Sequence, residues 1–133
     1  MENTPWGKLR SAAPVFLVDN VLATMRWYES NLGFQPDPFP ASPPHVFCIL
    51  RRDDVEIMLQ QLSGYEKPGV HGQRPGGVWN VYFRMAGVRA LSSTVTNNPA
   101  VKLIVPLHLQ PYGQYEFVIE DPNGYVLVFG EPA

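Results

Sequence analysis

The sequence predicts an α+β domain in which two βαβββ modules pair into a curved, partly open mixed sheet around a cleft. Two observations predict it. The order strand, helix, then further strands occurs once in each half of the chain. Within the strands apolar residues alternate, so one face suits a helix and the other a cavity.

The first half opens with Pro14 to Val18, an apolar run long enough for one strand. Asn20 offers a side-chain oxygen as an N-cap, and Val21, Met25, Tyr28 and Leu32 recur at helical spacing. Gly33 can adopt the left-handed conformation that ends such a helix. The segment PDPFPASPP is rich in proline and reads as a loop. Val46–Leu50 and Val55–Leu62 read as strands joined by a tight turn over 51–54. The first module covers 13–63, and the glycine-rich stretch 64–77 connects it to the second, 78–131.

The second half repeats the pattern. Val78–Met85 reads as a strand, and Val88, Leu91 and Val95 form a helical stripe that Asn97-Asn98-Pro99 stops. Val101–Leu109, Tyr115–Glu120 and Tyr125–Phe129 read as strands, with Asp121-Pro122-Asn123-Gly124 as the last turn. Laying Pro14 on Val81 also lays Phe16 on Phe83, Val18 on Met85 and Val21 on Val88. The repeat is one of pattern, not of letters. A single module covers only one face of its sheet, so two copies are expected to pair and leave a cleft. Alternation turns Val55, Ile57 and Leu59 toward the helices and Glu56, Met58 and Gln60 toward the cleft. Likewise Leu127 and Phe129 face the helices, while Val126 and Val128 face the cleft.

Composition sets the outer bounds. A chain of 133 residues, 45% hydrophobic and 17% charged, fits one folded domain and not a disordered segment. Its 14 prolines and 11 glycines fall irregularly, which excludes collagen and long coiled coils. With 10 basic and 12 acidic residues the net charge is −2, so no electrostatic reason for binding nucleic acid or an anionic membrane arises. No apolar run approaches the ~20 residues of a membrane helix, and MENTPWGKLR lacks the apolar stretch of a signal peptide. The lone Cys48, in VFCIL, reads as a small buried hydrophobe, and a reducing cytoplasm is the expected location.

The segments PVFLVDNVLATMRWYESNLGF and YGQYEFVIEDPNGYVLVFGE, with VEIMLQQL between them, resemble the vicinal oxygen chelate superfamily. This is the glyoxalase/bleomycin resistance protein/dioxygenase superfamily, and the resemblance covers about Pro14 to Glu131. It implies the paired βαβββ, glyoxalase/bleomycin resistance-like fold. It also implies a divalent metal held by His, Glu or Gln on inward strand positions. Those positions fall near Ala13, Asn80, Met58 and Val128, with Glu56 two places before Met58. A hard or borderline cation needs about three or more N or O donors. Ala13 and Val128 supply none, and the Met58 thioether prefers soft metals. A one-residue shift in register repairs nothing, offering Pro14, Ile57 or Leu59, and Leu127 or Phe129. The expectation is therefore a site without a metal or other cofactor.

Other chemistries lack their motifs. No G-x-S-x-G, phosphate-loop, H-E-x-x-H or C-x-x-C pattern occurs. His45, His71 and His108 fall in no close ligand spacing, though His108 sits near the cleft end of a strand. What remains is an aromatic, metal-poor cleft, with Phe47, Glu56, Met58, Asn80, Tyr82, His108, Tyr112, Glu116 and Val128 as candidate ligand-binding residues. Trp79, Tyr115 and Phe129 are further wall candidates, with alternation placing Trp79 and Phe129 on the helix side. Glu56, Glu116 and Glu131 favour a cationic or hydrogen-bond-donating ligand. The resemblance implies a mode of action like that of bleomycin resistance proteins, which bind and sequester a small molecule. It also implies a homodimer that pairs modules between subunits. The alternatives are a metal-dependent lyase or extradiol-type dioxygenase using Glu56, Asn80 and His108, and a non-catalytic protein-interaction module.

Overall fold

The computed structural model describes residues 5–133. In chain order the elements are β1 (Val15–Val18), α1 (Val21–Leu32), β2 (Gln35–Phe39), β3 (Phe47–Arg52), β4 (Val55–Gln61), β5 (Val81–Arg84), α2 (Val88–Thr96), β6 (Lys102–Leu109), β7 (Gln114–Glu120) and β8 (Val126–Pro132). Two separate four-stranded sheets result, ordered β1-β4-β3-β2 and β5-β8-β7-β6. In each, the first strand runs parallel to the last and the remaining pairs are antiparallel.

Helix α1 begins where Asn20 Oδ1 accepts the Ala23 amide, 3.0 Å away. It ends at Gly33, whose φ of 73° places it in the left-handed region. Helix α2 starts differently. The Glu131 carboxylate accepts the Gly87 and Val88 amides at 3.0 Å, so this residue caps a helix and is not a ligand-attracting acid in the cleft.

One expectation is corrected at β2. The proline-rich segment read as a loop is in part a strand, with Gln35–Phe39 paired to β3. Pro36 and Pro38 are tolerated because β2 is an edge strand, whose outward N–H positions need no ladder partner. That strand completes the first module and makes it match the second. The start of the second module is also shorter than read, with β5 at Val81–Arg84 inside the predicted Val78–Met85.

The alternation within strands holds. Ile57 and Leu59, and Leu127 and Phe129, are buried in the core that also contains Val21, Met25, Tyr28 and Leu32 of α1 and Val88 and Val95 of α2. Val126 and Val128 lie in a second cluster with Val118, Tyr82, Ile104 and Val105. Cys48 is buried in the main core.

The helix-covered sides of both sheets therefore share one interior. Side chains distant in sequence lock them together. The Phe16 and Tyr125 rings stack 3.9 Å apart at 5°, and the Tyr125 hydroxyl donates to the Leu17 carbonyl at 2.7 Å. The Tyr28 hydroxyl donates to Asp121 at 2.6 Å, and the Trp27 indole donates to the Ala100 carbonyl at 3.0 Å. The sheets' other faces point away from this shared core.

Candidate functional site

The nine candidate residues divide between two sheet faces. On the first sheet, strand register aligns Val15, Met58 and Ile49 in one row and Leu17, Gln60, Phe47 and Phe39 in the next. Alternation puts both rows on the face away from the helices. Val15 is 50% exposed and Phe39 66%, so this apolar surface is uncovered in the single chain. Glu56 lies at its margin, where the Arg51 guanidinium donates to it at 2.9 Å while also pairing with Asp37.

The second sheet carries a more elaborate arrangement, centred on Glu116. This carboxylate is fully buried. It accepts the Tyr82 hydroxyl at 2.6 Å, the Tyr112 hydroxyl at 2.7 Å and the Gln110 amide at 3.1 Å. An isolated carboxylate loses several kcal/mol on leaving water, and three donors at these distances offset that loss. The donors are all neutral. No ion pair involving Glu116 occurs among the described residues. Tyr82 is able to reach it because the β8 residue paired with Glu116 is Gly130; a Cβ there would lie 1.9 Å from the Tyr82 hydroxyl oxygen.

Burial, and then the adjoining Glu116 carboxylate, push both phenols upward. Tyr112 is raised to about 12 and Tyr82 further. Tyr112 is 58% exposed, but its hydroxyl is the end turned inward onto Glu116.

Above this network Trp79, Tyr82, Arg84, Tyr112 and Gln114 line an open groove of about 530 Å³. The Trp79 and Tyr82 rings meet at 5.8 Å, and the Arg84 guanidinium lies 5.5 Å from the Tyr82 ring centre. The Gln114 side-chain oxygen is buried and accepts no hydrogen bond. Gln114 is also a lining residue of the groove, and an acceptor without a partner can take a donor at no cost to an existing hydrogen bond. Trp79 was expected on the helix side. It precedes β5 and so escapes the strand's alternation, joining the groove instead.

The other candidates are placed as follows. Val128 is buried in the apolar cluster against which Tyr82 packs, and it does not line the groove. His108 pairs with Glu116 in the sheet register, but its Nδ1 is 3.0 Å from the Pro106 carbonyl. Asn80 does not project as a ligand: its Oδ1 accepts the Val126 amide at 2.8 Å, extending the β5–β8 pairing. Glu56 sits on the other sheet. His45 and His71 bond to Pro40 and Val78 of their own loops. Among the described residues no group of three or more His, Cys, Asp or Glu side chains is placed to hold a metal ion. No helix among them is long and apolar enough to cross a membrane.

Sequence reasoning brought Tyr82, Tyr112, Glu116 and Val128 to one place. It missed Gln110 and Gln114, whose only signal was their position flanking Tyr112 in the β6–β7 turn. Phe47, Glu56 and Met58 lie on the first sheet, and among the described residues no hydrogen bond, ion pair or ring contact joins them to this cluster.

No protein family matches this chain by sequence, and no curated protein does either. Its likeness is structural. A member of the glyoxalase/bleomycin resistance protein/dioxygenase superfamily from Sphaerobacter thermophilus superposes with a TM-score of 0.70 at 19% identity, covering 93% of this chain and 98% of that one. A glyoxalase-related enzyme from Clostridium phytofermentans gives 0.71 at 17%, covering 98% and 100%. A bleomycin-binding protein from bleomycin-producing Streptomyces verticillus, in complex with copper(II)-bleomycin, gives 0.63 at 20%, covering 92% and 95%. The molecule has a two-module βαβββ architecture. Its fold is that of the glyoxalase/bleomycin resistance protein/dioxygenase superfamily, as the resemblance in its sequence implied.

Proposed function

We propose that this protein is a member of that superfamily that binds a small organic molecule, without a metal or other cofactor, in the groove over Glu116. The reading rests on one observation above all: the groove is lined by Tyr82 and Tyr112, which both donate to a buried carboxylate with only neutral partners, and by Gln114, whose Oε1 is buried and unpaired. Such a lining favours a ligand carrying N–H or O–H donors or a positive charge. The aromatic walls supply apolar and cation–π contact for the remainder. The bleomycin-binding protein of the same fold, in complex with copper(II)-bleomycin, supports a binding role.

The active unit in this proposal is a homodimer. The exposed first-sheet face of one subunit (Phe39, Phe47, Ile49, Met58) covers the second-sheet groove of its partner. That apolar surface has no cover in the single chain, and exposed patches of this kind commonly mark interfaces.

A fluorescence titration of Trp79 against a library of organic amines, guanidines and neutral donors tests the binding reading, with Trp79→Phe as the control that removes the signal. Saturable quenching that weakens about tenfold or more in Glu116→Gln is expected, as a charge-assisted contact of 1.4 kcal/mol or more requires. Stoichiometric bound Ni, Zn, Fe or Mn in purified protein, lost in Glu56→Ala, would overturn it in favour of a metal-dependent enzyme.

A further inference from the structure

A second cavity, of about 340 Å³, lies where the two modules meet, away from the groove over Glu116. Its floor is Phe34, Val55, Phe83 and Phe129, and its rim carries Arg52, Asp53, Asp54 and the Arg84–Ala86 turn. The internal repeat explains why the space is there. Placing the β1–β4 pair Phe16↔Leu59 on the β5–β8 pair Phe83↔Phe129 puts Val55 at the position of Tyr125. At that end of the molecule Tyr125 stacks flat on Phe16 and donates its hydroxyl to Leu17. At this end Val55 is too short to reach Phe83 in the same way. The turn before it is also one residue shorter, since Arg51↔Glu56 matches Glu120↔Val126. By this correspondence the cavity lies where the Tyr125 ring lies at the other end, beside Phe83, which also meets Phe129 and Phe34.

A hydrogen-bond acceptor for the hydroxyl of such a ring is also present. Met58 and Leu62 donate to Pro14 and Val18, so Leu17 directs its carbonyl to the free side of β1, where Tyr125 finds it. Met85 donates to Gly130, so by the same alternation Arg84, the counterpart of Leu17, directs its carbonyl to the free side of the edge strand β5.

We infer that this cavity is a binding site for a phenolic ring, stacked on Phe83 with its hydroxyl donating to the Arg84 carbonyl. The site shares Arg84 with the Glu116 groove but none of that groove's other lining residues, and it does not depend on the function proposed for the groove. The rim carries both signs of charge, with Arg52 and Asp53 paired at 3.6 Å, so it favours a neutral or zwitterionic phenol over a strongly charged one.

The probe is p-cresol, which reproduces the tyrosine side chain, followed by amide chemical shifts in the full chain. Saturable shifts at Asp53–Val55 and Met85–Ala86 are expected, with a saturation curve of their own, distinct from any at Tyr112 and Gln114, which report the groove. Toluene, lacking the hydroxyl, and 4-methylcyclohexanol, lacking the flat ring, should each bind several-fold more weakly. Val55→Tyr should fill the cavity, weaken p-cresol binding about tenfold or more and raise the melting temperature. Absence of saturable shifts, equal binding of 4-methylcyclohexanol, or undiminished p-cresol binding by a folded Val55→Tyr protein would each overturn the inference. The analogue comparison uses the unaltered chain, so it decides the matter even if Val55→Tyr fails to fold.

Discussion

Gly130 on β8 leaves room for the hydroxyl of Tyr82 on β5, and through that hydroxyl the buried carboxylate of Glu116 gains its shortest hydrogen bond. A methyl group at Gly130 would lie 2.6 Å from Tyr82 Cζ as well as 1.9 Å from the hydroxyl oxygen, so the rigid ring must swing away. Gly130→Ala is expected to cost about 1–3 kcal/mol, the range for overpacking combined with loss of a partner to a buried charge. Urea unfolding measures this. Tyr82→Phe should recover little of the loss, because the phenol is already displaced.

The two phenols on Glu116 give a spectroscopic test of the network. Tyr112 is held near 12, above the ordinary ~10, and Tyr82 beyond it, by burial first and the Glu116 carboxylate next. Both raised values mean that their contribution to stability is complete below about pH 10 and is lost as pH rises through the folded values. In Glu116→Gln the negative charge is lost and a single amide oxygen is left to accept, so phenolate absorbance should rise at lower pH than in the unaltered protein. A titration curve that does not move would show that Glu116 is not the partner.

Asp121 makes the opposite end of the molecule acid-sensitive in an unusual direction. Burial raises its carboxyl above the ordinary range, although hydrogen bonds from Tyr28 and the Tyr125 and Asn123 amides pull it down. The native state therefore holds that proton more tightly than the unfolded chain. By linkage the contribution of Asp121 falls as pH rises from about 4 through its folded value, and is level above it. Asp121→Asn should flatten that part of the stability-versus-pH curve, measured as urea midpoints between acid and neutral pH. A difference curve rising with pH across the window would contradict the assignment.

If the first-sheet face is a subunit interface, a charge placed in its middle should separate the subunits. Met58→Glu lies between Val15 and Ile49 in the register and away from the core. The expected result is a monomer by sedimentation, with the melting temperature little changed, since Met58 packs against no core residue. A monomeric unaltered protein would remove the dimer from the proposal.

Metal analysis after exposure to Zn, Ni, Mn and Fe(II) should show binding well below one ion per chain. Glu56 is paired with Arg51, the Asn80 oxygen is engaged by Val126, and His108 Nδ1 lies beside the Pro106 carbonyl. A tight stoichiometric ion would mean that these side chains leave their present partners.

Much of the fold was legible because its signals are local. Asn20 and Gly33 mark the ends of α1 by the chemistry of their own side chains or lack of one. The alternation of Ile57 and Leu59 against Glu56 and Met58 needs only the two-residue period of a strand. The strand at Gln35–Phe39 was hidden because proline propensity is a local cost, while tolerance at a sheet edge is a property of the finished sheet. For the same reason Glu131 could not be recognised as the cap of α2, a helix that begins more than forty positions earlier.

The sequence alone determined the two modules, their helix-facing residues and the lack of a donor at Ala13 and Val128, since each depends on residue type and near-neighbour spacing. Tertiary structure alone decided that Tyr82, Tyr112 and Gln110 converge on Glu116, that Gln114 Oε1 is left without a donor, and that Val55 borders a cavity while Tyr125 stacks on Phe16. Those facts depend on which strands become neighbours and how far each side chain reaches across the gap. Distances of that kind are set by packing and are not written in any stretch of adjacent residues.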